Sequence, residues 1–515
     1  MDGDSSLLEK AAAADKAQAE FTARKASGRP ASTKAQLQNT GPDAPLYADR
    51  VKVYPKAVSG PFRRAKWAVL VFCLAVYYLV PWIRWDRGPG APNQAVLVDM
   101  AGGRGYFFNI EIWPQEVYYI TGLLMLGAFG LFLVTSLFGR LWCGYACPQT
   151  VWTDLFMLVE RWIEGDRGAR MRLDQAPMSA GKAVKKALKH TVWFLIALAT
   201  GGAWALYFDD APTLLVNFFT GGASMEQYFF VGLFTATTYV LAGWAREQVC
   251  TYMCPWPRFQ SAMLDKQSMV VTYEAWRGEP RGKSKGAVPP QGMGDCIDCG
   301  QCIAVCPTGI DIRDGIQLEC IGCGLCIDSC NEIMDKVGRP RNLITFDTES
   351  NQEARACGRP TKFRFVRPRT LIYASLVVLI GAVMTTALAM RSTLSVNVLR
   401  DRAPLFVTLS DGDIRNGYTL KILNKRREAL SYELSVAGIP GAKLVVQDVG
   451  EGADGAPVVV HAAPDTVEPY RVFIIAPRSA LKADSTAVEF VLREPVSNAR
   501  STYDAVFIGP HVAGK

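Results

Sequence analysis

The chain has 515 residues, of which 50% are hydrophobic and only 20% charged, with a formal charge of +8. That is too apolar for an ordinary soluble protein of two or three domains and points to a membrane protein with soluble parts. The positive charge forms no basic stripe interleaved with aromatic residues, so nucleic acid is excluded as a partner.

Residues 1–50, rich in Ala, Lys, Gln and Asp, read as a disordered cytoplasmic tail. Five apolar stretches follow, at 67–83, 117–138, 191–208, 229–244 and 371–390. Each approaches the roughly 20 residues that a helix needs to cross a bilayer, and none carries an acidic or basic side chain within it. The first lies behind a long polar tail with no small-residue cleavage site, so it reads as a retained anchor. The segment before Trp67 holds twelve Lys and Arg and 139–190 holds nine, whereas 84–116 holds three and 209–228 none. Because basic residues stay on the inner side, the amino terminus and 245–370 are expected in the cytoplasm, and the chain beyond Arg391 outside. The expected domains are therefore a four-helix membrane domain at 51–265, a cytoplasmic domain at 266–365, a fifth membrane helix at 366–392 and an outer domain at 393–515.

Two of the apolar stretches end in the same pattern, Cys-x-Tyr-x-Cys-Pro: CGYACP at 143–148 and CTYMCP at 250–255. The chain thus resembles two parallel hairpin repeats, 67–148 and 191–255. Cys at i and i+4 share one face of a helix, so Cys143 with Cys147, and Cys250 with Cys254, each present two sulfurs to one point. Pro148 and Pro255 interrupt the helical ladder there, and Arg140 and Arg246 nearby are expected to favour thiolates. Paired soft ligands select Cu(I), zinc or iron–sulfur chemistry. Three readings stand at this point: buried packing, a redox dithiol or further cluster, and a copper site.

The 266–365 segment carries CIDCGQCIAVCP, with Cys296, Cys299, Cys302 and Cys306, and CIGCGLCIDSCN, with Cys320, Cys323, Cys326 and Cys330. Both read C-x2-C-x2-C-x3-C, the bacterial ferredoxin spacing, in which the fourth Cys of each run ligates the other cluster. The expected sets are Cys296, Cys299, Cys302 and Cys330 for one [4Fe–4S] cluster, and Cys320, Cys323, Cys326 and Cys306 for the second. Structural zinc sites space their Cys pairs more widely, and a cytoplasmic disulfide network is disfavoured. Asn331 stands where a second proline is usual, which leaves the local path beside Cys330 open. With three histidines and no C-x-x-C-H, haem has no ligand set, and no dinucleotide fingerprint is present.

After Arg391 the sequence alternates, with seven short β-branched runs from TLSVNVL to STAVEFVLRE. These predict an antiparallel immunoglobulin-like sandwich without Cys. The expected fold class is therefore a multi-domain membrane protein: an α-helical bundle of about five membrane helices, an inserted α+β 2[4Fe–4S] ferredoxin module and a carboxy-terminal all-β sandwich.

Taken together, RLWCGYACPQTVWTDLFMLVERWIEG at 140–165, CTYMCPWPRFQSAML at 250–264, the two ferredoxin quartets and GYTLKILNKR at 417–426 closely resemble the CcoG family, also called FixG or RdxA. These are bacterial inner-membrane polyferredoxins that assist assembly of cbb3-type cytochrome c oxidase. The resemblance implies a cupric reductase that turns Cu(II) into Cu(I). Its copper-binding or relay residues fall on Cys143, Cys147, Cys250 and Cys254, and its cluster ligands on the eight ferredoxin cysteines. It implies copper chaperones and oxidase assembly factors as partners, a cytoplasmic electron donor of unspecified identity, and is compatible with a homodimer. A NapH- or NosR-like relay of electrons from quinol, and an assembly scaffold without catalysis, are the competing functions.

Overall fold

The amino-terminal half is built on long apolar helices. The computed structural model describes residues 52–510, apart from 89, 392, 393, 427, 453–455, 465 and 482; the tail 1–50 lies outside the described residues. The chain divides into two units, Met1–Trp85 with Asn93–Met384, and Asp86–Pro92 with Thr385–Lys515.

In the first unit, helices α1 (Pro61–Leu79), α2 (Tyr118–Phe138), α3 (Leu141–Tyr145), α4 (Pro148–Glu164), α5 (Arg167–Gln175), α6 (Ala180–Ala205), α7 (Ala211–Thr220), α8 (Met225–Thr238), α9 (Trp256–Met263), α10 (Leu325–Val337) and α11 (Pro368–Ala389) follow one another. Four stretches, Pro61–Trp82, Pro114–Phe138, Met225–Ala245 and Pro368–Ala389, are long and apolar enough to cross a membrane. They match four of the five expected spans, two of which run one residue past the stretch. The other, 191–208, covers the later part of α6, a 26-residue helix whose first turns carry Lys182, Lys185, Lys186 and Lys189, and runs three residues past its end at Ala205.

Local sequence explains where these helices start and how they meet. Ser179 caps α6 by accepting the Lys182 N–H, and Ser224 with Gln227 forms a capping box on α8. The start of α1 has no cap of its own; the Asp328 carboxylate accepts from the backbone N–H groups of Phe62 (3.3 Å) and Arg63 (2.8 Å) instead. At Gly201 of α6 an added Cβ lies 2.6 Å from the Val231 carbonyl oxygen, so a residue without a side chain lets α6 and α8 touch through their backbones.

Between the apolar helices, 84–116 holds a short antiparallel sheet of β1 (Val96–Asp99), β2 (Arg104–Phe107) and β3 (Ile110–Ile112), for which the sequence gives no expectation. The ferredoxin segment is bracketed by β4 (Val270–Tyr273) and β5 (Ile344–Asp347), paired antiparallel from Val270↔Asp347 to Tyr273↔Ile344. Asn331 settles the path beside Cys330. Without a proline there, α10 runs on to Val337, and the Asn331 side-chain oxygen accepts the Asn342 N–H at 2.8 Å.

The second unit is the expected sandwich. One sheet contains β6 (Leu394–Arg400), β7 (Val407–Thr408), β8 (Ile414–Asn424), β10 (Lys443–Val446), β11 (Gly450–Gly452) and β13 (Thr466–Ala476); the other contains β9 (Leu430–Ala437), β12 (Val458–Ala462), β14 (Ser485–Arg493) and β15 (Arg500–Ile508). The alternating residues face inward, with Tyr418, Leu420, Ile422, Val460, Ile474, Phe490 and Phe507 fully buried. All seven expected strands are present. Three further strands complete the sandwich: the short β7 and β11, and β15, which pairs with the whole of β14 and whose polar opening, Arg500-Ser501-Thr502, hides its alternation.

Candidate functional site

The eight ferredoxin cysteines line two neighbouring cavities. Cys296, Cys299, Cys302 and Cys330 line one. The second is lined by Cys306, Cys320, Cys323 and Cys326, with Cys302 on the shared wall. The backbone reaches these positions by the same device twice: Gly300 and Gly324 adopt left-handed φ values of 64° and 72° just before a helix begins. Only glycine takes that conformation without strain, and it turns Cys299 and Cys302, or Cys323 and Cys326, around one space. No carboxylate or imidazole lines either cavity. Four thiols per cavity fit a [4Fe–4S] cubane, whose ligands are thiolates.

The two Cys-x-Tyr-x-Cys-Pro motifs share a backbone path. Gly139, four residues before Cys143, has φ 59° and ψ −127°; Arg246, four before Cys250, has φ 45° and ψ −113°. A short helical turn then carries Cys143 or Cys250. Cys147 (φ −59°, ψ 128°) and Cys254 (φ −79°, ψ 122°) are extended, as a residue before proline prefers. Pro148 and Pro255 open the next helix. The second cysteine of each motif therefore leaves the helical face expected for an i, i+4 pair, and the repeat extends to the left-handed residue before the motif.

In this register Arg246 corresponds to Gly139 and not to Arg140, so the two arginines have different roles. Arg140 donates to the carbonyls of Leu318, Cys320 (3.1 Å) and Pro257 (2.8 Å), which ties the motif to the loop of the second quartet. Arg246 pairs with Glu160 at 3.0 Å. Arg140 acts on Cys143 in the expected direction but is outweighed by burial, and Arg246 is engaged by Glu160. Burial pushes the Cys143 thiol up to about 12, with Cys147 adding to the effect and Arg140 opposing it. Burial with Cys147 and Cys254 does the same to Cys250. Such thiols stay protonated at neutral pH until a metal displaces the proton.

The first motif lies directly against the second quartet. Cys143 and Cys250 pack in one apolar cluster with Cys323, Cys326, Ile321 and Leu325, and the Tyr145 hydroxyl donates to the Cys323 carbonyl at 3.1 Å. Tyr252, its counterpart, is exposed. A Cβ on Gly144 meets the Ile321 carbonyl at 2.9 Å, the Gly322 carbonyl at 3.0 Å and the Cys323 Cα at 3.1 Å. All three are backbone atoms that cannot rotate away. Gly144→Ala is expected to cost about 1–3 kcal/mol by overpacking, seen as a lower temperature for loss of iron–sulfur absorbance; an unchanged transition would show that the loop moves freely. Cys143 Sγ also lies 3.4 Å from the Gln260 side-chain oxygen. Among the described residues, no three His, Cys, Asp or Glu side chains are gathered tightly enough to form a ready mononuclear metal site.

Beneath the motifs lies a buried charge network that sequence spacing did not reveal. Glu160 accepts from Arg170 at 3.0 Å and from Arg246 at 3.0 Å, with Lys189 at 3.6 Å. Glu164 pairs with Lys186 and Lys189, each at 2.9 Å. Burial opposes ionisation of Glu160, but Arg246, Lys189 and Arg170 hold its carboxyl down at about 2. One carboxylate on α4 thus joins α5, α6 and the residue that opens the second motif.

Comparison with known proteins adds the family. The chain is 48% identical over 499 residues to "Nitrogen fixation protein FixG" of Rhizobium meliloti, covering 92% of this chain and 95% of that protein. Against "Protein RdxB" of Cereibacter sphaeroides it is 49% identical, covering 91% and 99%, and against "Protein RdxA" of the same organism 48%, covering 87% and 94%. The chain belongs to the FixG family. Family models agree domain by domain: a "4Fe-4S dicluster domain" matches 245–349, an "IG-like fold at C-terminal of FixG" matches 384–510, and a "4Fe-4S binding domain" matches 120–168. With its 4Fe-4S domains and membrane-length apolar helices, this chain is a membrane iron–sulfur redox protein. The match at 120–168 spans Cys143 and Cys147, and the match from 245 spans Cys250 and Cys254 as well as the ferredoxin quartets.

Proposed function

We propose that the protein is a cupric reductase of the bacterial inner membrane that delivers Cu(I) for assembly of a cbb3-type cytochrome c oxidase. The observation that carries this reading is the shared packing of Cys143 and Cys250 with Cys323 and Cys326. It sets paired soft ligands against the second thiol quartet. In this reading Cys296, Cys299, Cys302 and Cys330 hold one cluster, and Cys306, Cys320, Cys323 and Cys326 hold the other. When bound, the clusters supply one electron at a time.

The chain's own residues do the rest. Arg140, Gly144 and Tyr145 fix the first motif on the loop that carries Cys320 and Cys323. The sulfurs of Cys143, Cys147, Cys250 and Cys254 receive Cu(II), release their protons to water, and favour the reduced ion because soft thiolates bind Cu(I) more strongly. Each copper takes one electron, drawn from a cytoplasmic one-electron donor through the ferredoxin side. The basic segments keep the amino terminus and the ferredoxin domain in the cytoplasm, with the sandwich outside, where copper chaperones and oxidase assembly factors would dock.

The test is an anaerobic assay with a Cu(I)-specific trap on cluster-loaded protein. Cys143→Ser/Cys147→Ser and Cys250→Ser/Cys254→Ser are each expected to keep full iron content and to slow Cu(I) formation at least tenfold. Unchanged rates in both would remove copper from these sulfurs. A second reading, relay of electrons from quinol, draws on the 4Fe–4S family match across the first motif; it predicts that quinol reduces the protein and that Cu(II) does not reoxidise it.

A further inference from the structure

A third, small pocket lies beside the second quartet, between the start of α1, α4 and the chain around Cys306. Four cations line it, Lys56, Arg63, Lys66 and Arg161, against one carboxylate, Asp154; the remaining wall is apolar side chains and prolines. Asp154 is fully engaged. It accepts two bonds from Arg63, at 3.0 and 2.8 Å, with Lys66 at 3.8 Å and Arg161 at 3.9 Å. Burial works against its charge, but Lys66 and Arg63 keep its carboxyl below the usual range.

Cations therefore outnumber the one carboxylate that lines the pocket, although Asp166 also acts on Arg161 and the exposed Lys56 donates to the Gln301 side-chain oxygen at 2.9 Å. The Arg63 side chain is only 6% exposed, yet its Nη2 has no acceptor among the described residues, and neither has the buried Nε of Arg161. Burial and the neighbouring Arg63 both pull the Arg161 guanidinium down, the response of a cation crowded by cations. Unpaired buried cations and unfilled donors are costly. Of the four cations, Lys66 also acts electrostatically on the Cys323 thiol of the second quartet.

We propose that this cavity binds a phosphate group. Two guanidinium forks and two ammonium groups suit a tetrahedral oxyanion, and a dianion offsets the surplus charge better than a carboxylate does. Lys56 is exposed and forms the open side. Because α1 begins at Pro61 and is long and apolar enough to span a membrane, the phosphate comes either from an anionic phospholipid headgroup or from free phosphate. The site does not depend on the proposed copper chemistry.

The experiment uses full-length, cluster-loaded protein freed of lipid in detergent, titrated by calorimetry and native mass spectrometry with inorganic phosphate in one arm and dihexanoyl phosphatidylglycerol in the other. Wild-type protein is expected to bind one probe per chain in at least one arm, and Arg161→Gln/Lys56→Gln to bind it at least tenfold more weakly with iron content unchanged. Binding in the lipid arm alone assigns a headgroup; binding of inorganic phosphate assigns a free-phosphate site. Asp154 keeps both Arg63 bonds in this variant. Should the double variant fail to load clusters, Lys56→Gln alone, at an exposed position, is expected to weaken binding at least threefold. No binding of either probe at millimolar concentration, or equal binding by wild type and variants, overturns the proposal.

Discussion

Glu160→Gln is expected to be among the most destabilising single substitutions in the membrane domain. The carboxylate is buried and meets Arg170, Arg246 and Lys189. Removing its charge leaves three buried cations with only Glu164 close by, paired to Lys189 and Lys186. Breaking a buried ion pair by deleting one partner costs about 3–5 kcal/mol. Because Arg246 is also the left-handed residue that opens the second motif, the loss reaches Cys250 and Cys254. The same carboxylate gives a pH signature. Its folded value of about 2 lies below the ordinary range for glutamate, so its contribution is complete above about pH 4.5 and disappears as pH falls toward 2. Wild-type protein should lose thermal stability through that window, and Glu160→Gln protein should lose less. A variant that melts with wild type at neutral pH would show that the network is not holding the helices.

Cys326→Ser is expected to remove one cluster and, with it, copper reduction. Cys326 lines the second cavity and packs in the apolar cluster that contains Cys143, Cys250 and Cys323. Since each [4Fe–4S] cluster needs its four thiolates, the variant should retain about half of the wild-type iron and the absorbance of one cluster. All four motif sulfurs remain, so any copper they bind stays bound. Cu(I) formation should nevertheless fall to the background level. This separates reduction from binding, and it distinguishes the reductase from a scaffold whose clusters only stabilise the fold. A half-iron protein that reduces Cu(II) at the wild-type rate would take the second quartet out of the path.

The parts written in local spacing were legible in the sequence. The C-x2-C-x2-C-x3-C runs fix which cysteines can turn around one centre, and period-two alternation marks strands such as Ile414–Asn424 and Thr466–Ala476. Properties that depend on distant partners were not legible. Arg140 and Arg246 look equivalent in the chain, yet one binds the carbonyls of the 318–320 loop and the other binds Glu160. Counting back from the cysteines aligns Gly139 with Arg246 and would have separated them. The burial of Glu160 and Asp154 was not legible, because nothing in α4 announces that Arg63, Arg170, Lys189 and Arg246 converge on it. The sheet at Val96–Ile112 was missed since strands of three or four residues carry too few alternations to stand out.

The measurement that bears most directly on the central claim is an anaerobic stopped-flow reaction. Cluster-loaded protein is reduced, freed of excess reductant and mixed with Cu(II) in the presence of a Cu(I)-specific chromophore. Return of the oxidised-cluster absorbance and appearance of Cu(I) are followed together. The account predicts that the two traces rise in step, one Cu(I) for each electron lost, and that Cys143→Ser/Cys147→Ser protein with full iron lags behind. Clusters that stay reduced while Cu(II) persists would contradict it.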